Sequence, residues 1–249
     1  MKKEQNNKII IFQEDEKALN YRYKLENPLN NNVAVKSIDY DKDDFINEFK
    51  IVGDPPSVGT VYYLHPYQKD TYIHQDTDEH YYLREKLNLY RRFGSKLGAK
   101  SIQTTLKLTK SEKIEIESDG KVTFKVVKTD VNVKNQIESN YRNSLEIKEE
   151  YQQQENFDLF KNIDELKTII KENNLGYETE LIELIEGRDS RNSGTSLISR
   201  EVKSEISSEY NKLLEISADV TAPTFSISTN FKNRFESVNT LSIEIKYEF

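Results

Sequence analysis

All three histidines of the chain, His65, His74 and His80, lie in one short stretch, interleaved with Asp70, Asp76, Asp78 and Glu79. Imidazoles joined by a carboxylate form the donor set that holds zinc or a similar divalent ion, and a metal-bound water would make such a site hydrolytic. The intervals of nine and six residues match neither the helical nor the hairpin spacing that brings imidazoles onto one ion. The same stretch is crowded with Tyr62, Tyr63, Tyr67, Tyr72, Tyr81 and Tyr82, and aromatic side chains with a polar tip are enriched at protein contact surfaces. The first reading is therefore a partner-binding surface made of Tyr63, His65, Tyr67, Tyr72, His74, His80 and Tyr81, with no metal assigned. A metal-dependent hydrolase at His65, His74 and His80 ranks third.

Other chemistry has less to stand on. No Gly-x-Ser-x-Gly sequence provides a nucleophile elbow, and no glycine-rich loop followed by Lys and Ser or Thr provides a phosphate cradle. Gly53-Asp54-Pro55-Pro56-Ser57-Val58-Gly59 reads as a plain turn. Cysteine is absent, which removes disulfides, thiolate catalysis and cysteine-based zinc sites and fits a reducing compartment. No catalytic residue is assigned, no cofactor is expected, and a non-enzymatic role is favoured.

Composition bounds the rest. The 249 residues suffice for a sizeable core, and although only 35% are hydrophobic and 32% are charged, 15 Tyr and 11 Phe separate the chain from disordered sequences. A net charge of −7, with Lys and Arg scattered, lacks the basic stripe that neutralises phosphates, so nucleic acid is disfavoured as a partner. The apolar run Ile9–Phe12 is too short for a signal peptide, and no stretch approaches a membrane-spanning helix. The expectation is a soluble, cytoplasmic protein.

The hydrophobic pattern changes period along the chain. Leu83, Leu87, Tyr90, Phe93 and Leu97 form one stripe that predicts a helix over about 79–97, with Gly98 as its C-terminal cap. Alternation then takes over, through Ile102, Thr104, Leu106 and Leu108, through Ile114 and Ile116, and, past the turn Asp119-Gly120, through Val122, Phe124 and Val126. Two short helical stripes follow, Phe160, Ile163, Leu166 and Ile170, then Leu181, Ile182, Leu184 and Ile185. Asp189–Thr195 reads as a polar flexible loop. A terminal hairpin is expected from Phe225–Phe231 and Leu241–Phe249.

Two tracts, 131–151 and 198–220, alternate apolar and polar positions over an unusual length. They also share Val133-Lys134, Ile137, Ser139, Tyr141 and Leu145-Glu146-Ile147 with Val202-Lys203, Ile206, Ser208, Tyr210 and Leu214-Glu215-Ile216, by internal duplication or by chance. On a strand every apolar member of a tract lies on one face, whereas on a helix the fourfold spacing would drift around the axis. Nine to eleven alternating residues are enough to cross a bilayer within a β-barrel. Membrane perturbation by these tracts, after a conformational change, is accordingly the second reading. Asn135, Asn143, Glu149, Arg200 and Lys212 interrupt the apolar faces and would be costly against lipid.

The expected architecture is one α+β domain, an antiparallel sheet in a meander of long amphipathic strands, covered on one face by helices. Within it, 1–55 is a mixed lead-in, 56–151 a strand-helix-sheet core, 152–197 a helical insert and 198–249 the C-terminal strands. The leading function is partner binding or self-assembly through exposed sheet edges and the tyrosine-rich segment.

Overall fold

The sequence Ile-Ile-Ile-Phe-Gln at β1 (Ile9–Gln13) is buried at every position, which is the signature of a strand covered on both faces. Around it folds the first of two compact units into which the computed structural model resolves. Unit 1 comprises residues 1–79, 112–126 and 207–236, and unit 2 comprises 80–111, 127–206 and 237–249. The structure describes residues 7–23, 31–77, 79–108, 111–116, 122–127, 147–153, 155–173, 175–205 and 241–249.

In unit 1, β1 leads through α1 (Asp15–Arg22) to β2 (Val33–Ser37), then through α2 (Lys42–Glu48) to β3 (Lys50–Val52), β4 (Val61–Leu64) and β5 (Thr71–His74). The five strands are ordered β2-β1-β4-β5-β3, with β1 parallel to β2, β3 parallel to β5, and β4 antiparallel to both its neighbours. Phe45 of α2 fills the centre of one face. Its ring lies 5.2 Å from Phe12, 5.6 Å from Tyr62 and 5.1 Å from Tyr72, centroid to centroid. Such tilted aromatic clusters each add about 1 kcal/mol per ring pair beyond the area they bury. The stretch 1–55, expected to be a lead-in, thus supplies three of the five strands. Its helices are too short to show a stripe, α1 burying only Ala18.

Unit 2 carries the helix expected from its stripe. In α3 (Glu79–Lys96) and just beyond it, Leu87, Tyr90, Phe93 and Leu97 are buried, and Gly98 follows at φ +81, the left-handed cap that glycine adopts without strain. A four-stranded antiparallel sheet is ordered β10-β11-β6-β9, from β6 (Ser101–Leu108), β9 (Ile147–Glu150), β10 (Ser199–Glu205) and β11 (Leu241–Glu248). One face holds Ile102, Thr104, Val202, Ser204, Ile243, Ile245 and Tyr247, all buried, while Gln103, Lys148, Glu150, Glu201, Lys203 and Lys246 on the other are exposed. Helices α4 (Leu159–Glu172), α5 (Thr179–Arg188) and the short α6 (Ser190–Ser193) complete the unit. Asp158 caps α4 by accepting from Lys161 N at 3.0 Å. A two-stranded ribbon of β7 (Ser111–Ile116) and β8 (Val122–Val127) pairs with neither sheet.

The α+β class is as expected, and the strand pairing is mostly antiparallel. The single meander resolves instead into a mixed sheet, an antiparallel sheet and a ribbon. Within 189–195, expected to be a flexible loop, Ser190–Ser193 form a short helix. Asp189 is buried and accepts from Lys167 Nζ at 2.7 Å and Arg191 Nε at 2.7 Å, which hold its carboxyl well below the usual range. Of the two alternating tracts, 147–150 and 199–205 are strand, and the remaining residues up to 146 and from 206 lie outside the described residues, as does Phe225–Phe231.

The contact of α3 with the sheet depends on a missing side chain. A methyl carbon added at Gly94 would fall 2.7 Å from Tyr247 Cδ1 and 2.8 Å from Ile102 Cδ1. Gly94→Ala should gain about 1 kcal/mol of helix propensity and lose about 1–3 kcal/mol to overpacking. The expected outcome in urea unfolding is a net loss of stability of unit 2, the reverse of the exposed-helix rule.

Candidate functional site

Of the residues singled out in the sequence, Tyr63, His65, Tyr67, Tyr72 and His74 are buried. Tyr63 and His65 belong to or directly follow β4, Tyr72 and His74 belong to β5, and Tyr67 sits in the turn joining these strands. Exposure is 0% for Tyr63, 2% for His65, 5% for Tyr67, 1% for Tyr72 and 6% for His74. Two adjacent central strands with both faces covered bury every side chain in turn, so consecutive aromatics here signal core. Tyr72 donates its hydroxyl to Asn7 O at 2.6 Å, and Tyr62 donates to Asp54 O at 2.6 Å. His80 and Tyr81 open α3 in the other unit, Tyr81 half-buried.

Two of the imidazoles are committed to the backbone. His65 Nδ1 accepts from Tyr67 N at 3.0 Å, and His74 Nδ1 accepts from Asp76 N at 3.2 Å, so each ring closes its own local turn. Among the described residues no group of three or more His, Asp or Glu side chains is placed to hold a metal ion. The His65 ring is instead held neutral. Burial, with Lys50 nearby, lowers its pKa to about 4.

The polar chemistry that sequence reasoning missed lies inside unit 2. Lys86, one of the bulkiest fully buried side chains, pairs with Glu178 at 3.2 Å. Glu178 stands at the N-cap position of α5 but makes no cap bond with its side chain. Its carboxylate turns inward and accepts from the Tyr90 hydroxyl at 2.7 Å, and Tyr90 also lies 3.2 Å from Ser204 Oγ on β10. Burial, reinforced by Glu178, pushes the Tyr90 phenol far above its ordinary value, which keeps it a neutral donor. One network therefore ties α3, the start of α5 and an edge strand. Lys86 and Tyr90 are four residues apart on one helical face, a spacing visible in sequence. The partners are too distant along the chain to be read from it.

Unit 2 also presents an open groove of about 410 Å³ between the C-terminal end of α3 and the N-terminal end of α4. Among its charged groups, Lys96 pairs with Glu165 and Asp158 caps α4. The remaining candidates are the sheet edges. Among the described residues, β9 and β10 flank the four-stranded sheet. The ladder aligns them in rows, Glu201-Lys246-Gln103-Lys148 on the exposed face and, on the covered face, Arg200-Tyr247-Ile102-Glu149 and Val202-Ile245-Thr104-Ile147. Glu149 and Arg200, the charges that interrupt the apolar pattern of the sequence, find local partners. Arg91 pairs with Glu149, and Arg200 pairs with Glu180 and Glu183.

The buried His65 carries a signed pH dependence. Its folded pKa lies below the unfolded value, so between about pH 6.5 and 4 the unfolded chain binds more protons, and stability falls as pH falls through that window. A tenfold difference in proton affinity between the folded and unfolded chain is worth about 1.4 kcal/mol. His65→Asn places an oxygen where Nδ1 accepts and removes the titration. Its unfolding free energy between pH 7 and pH 4.5 should decline less than that of the parent, measured by urea denaturation across pH.

Compared with known proteins, the chain matches no family model, no curated protein and no solved structure.

Proposed function

We propose that this protein is non-enzymatic and works by self-association through the edges of its four-stranded sheet. The observation that carries the reading is the direction of those edges. In an antiparallel sheet of four strands the two outer strands run oppositely, so β9 of one copy and β10 of another would meet antiparallel and continue the alternation. Among the described residues no strand pairs with the outer side of β9 or β10, and an edge left so is a template for another strand. The perturbed groups support a structural use of polar chemistry, because Tyr90, Tyr247 and His65 are buried in the cores, and of those that line the groove Tyr151 is bonded to Glu149 and Glu165 to Lys96. A catalytic site needs such groups to converge where a substrate can reach them. Sedimentation velocity across a concentration series should show a rising weight-average mass. A monomer at every concentration, with and without anionic and neutral lipid vesicles, would overturn the reading.

A second reading, membrane perturbation, is favoured by one further observation. The described strands of the sheet end at Leu108 and Glu205 and resume at Ile147 and Leu241. Leu108 pairs with Leu241 and Glu205 with Ser242 at one end of the sheet, while Ile147 pairs with Thr104 halfway along β6, where β9 begins and runs away from that end. Each intervening stretch joins two neighbouring antiparallel strands, and each holds enough residues for two bilayer-crossing strands. The alternation in 131–146 and 206–220 suits such strands, while the charged residues Glu149 and Arg200 stay with the sheet. Under this reading vesicles loaded with a self-quenching dye leak in proportion to bound protein. Intact vesicles under acidic, neutral and protease-treated conditions would sink it.

A further inference from the structure

We infer that the partner at these edges is a second copy of the same chain, docked head to tail with β9 beside β10 and no stagger between the rows. The inference rests on the self-association reading and names its surface. Carrying the ladder across the edge without a shift sets Lys148 against Glu201 on the exposed face, and Glu149 against Arg200 and Ile147 against Val202 on the covered face. Two pairs join opposite charges and the third joins two apolar residues. A shift of two residues toward the C-terminal end of β10 destroys this, because Lys148 would meet Lys203 and Glu150 would meet Glu201. Facing residues of like charge are unfavourable and those of opposite charge favourable, so the pattern selects one register.

The same side chains argue against a purely protective role. Charges that only guard an edge against aggregation serve best when they repel a copy, as lysines along both edges would. Here one edge carries Lys148 where the other carries Glu201. Lys148 and Glu201 are both exposed, and each is paired with a neighbour on its own surface, Glu150 and Lys246. Because β9 and β10 are different surfaces, the contact is heterologous and repeats from copy to copy, closing into a ring or running on as a filament. Pairing over the short β9 gives weak contacts one at a time, which a closed ring or a shared membrane surface would multiply.

The absence of cysteine from the chain makes the contact directly testable. Within one copy, positions 148 and 201 lie on opposite edges of the sheet, three interstrand spacings or about 14 Å apart, twice the reach of a disulfide. A full-length Lys148→Cys, Glu201→Cys variant, mildly oxidised, should therefore form a ladder of covalent dimers, trimers and longer species on a non-reducing gel. Either single variant should stop at dimers. In parallel, Lys148→Glu and Glu201→Lys should each lower the association constant about fivefold in sedimentation, and the combined variant should recover to within about twofold of the parent. Association of the parent with no ladder and no recovery would assign assembly to another surface and overturn the inference alone. A parent that stays monomeric would remove the self-association reading and the inference with it.

Discussion

The register between β6 and β11 is the constraint on which unit 2 depends. Eight consecutive residue pairs, from Leu108–Leu241 to Ser101–Glu248, fix which side chains face the helices and which face away. A slip by one residue would send Ile102, Thr104, Ile243, Ile245 and Tyr247 to the exposed face together, so the hydrophobic effect opposes it at every row. Side chains pin the same register. The Tyr247 ring sits in the space left by Gly94, and its hydroxyl donates to Tyr90 O at 3.1 Å, one helical turn away on the same face of α3. Only one position on β11 can satisfy both contacts.

The buried polar network adds specificity of a different kind. Taking a lysine and a glutamate out of water costs several kcal/mol per ion, and their mutual attraction roughly offsets that cost when the geometry is good. Lys86–Glu178 is thus a weak source of net stability and a strong source of selectivity. Any packing of α5 that separates the pair leaves a buried charge uncompensated, a penalty of about 3–5 kcal/mol. Glu178 forgoes its capping bond for this role, and Tyr90 and Ser204 extend the requirement to β10. The helices are held to one arrangement over the sheet by what misplacement would cost. Arg188 reinforces the arrangement from the far end of α5, donating to Leu97 O at 3.1 Å and stacking 4.3 Å from the Phe249 ring.

What the sequence disclosed follows from how strongly each element samples water on one side. The helix 79–96 and the strands β6 and β11 have one wet and one dry face, so their periods of about 3.6 and 2 are written in Leu87, Tyr90 and Phe93 and in Ile243, Ile245 and Tyr247. Unit 1 is illegible for the opposite reason. Its central strands are dry on both faces, and Val-Tyr-Tyr-Leu and Thr-Tyr-Ile-His offer no alternation to read. Tyrosine then misleads, because its polar tip suggests a surface, yet Tyr62 and Tyr72 turn that tip to backbone carbonyls inside the fold. Two of the three histidines serve the backbone. His65 and His74 each bond the backbone amide two residues on, a turn-closing use that spacing cannot distinguish from ligation.

Glu149 and Arg200 show the complementary lesson. As interruptions of an apolar face they read as obstacles to any membrane role, and the fold answers by giving each an oppositely charged partner on a neighbouring helix. The sheet that contains them holds both charges on its helix-covered face. Its fixed register, its pinned helices and its oppositely directed outer strands are the properties that addition of further strands requires, since a sheet free to slip could not present one charge pattern to a copy. The stretches between Leu108 and Ile147 and between Glu205 and Leu241 each join neighbouring strands of this frame. Any load they carry falls on four strands whose pairing cannot shift without exposing the whole apolar face of unit 2.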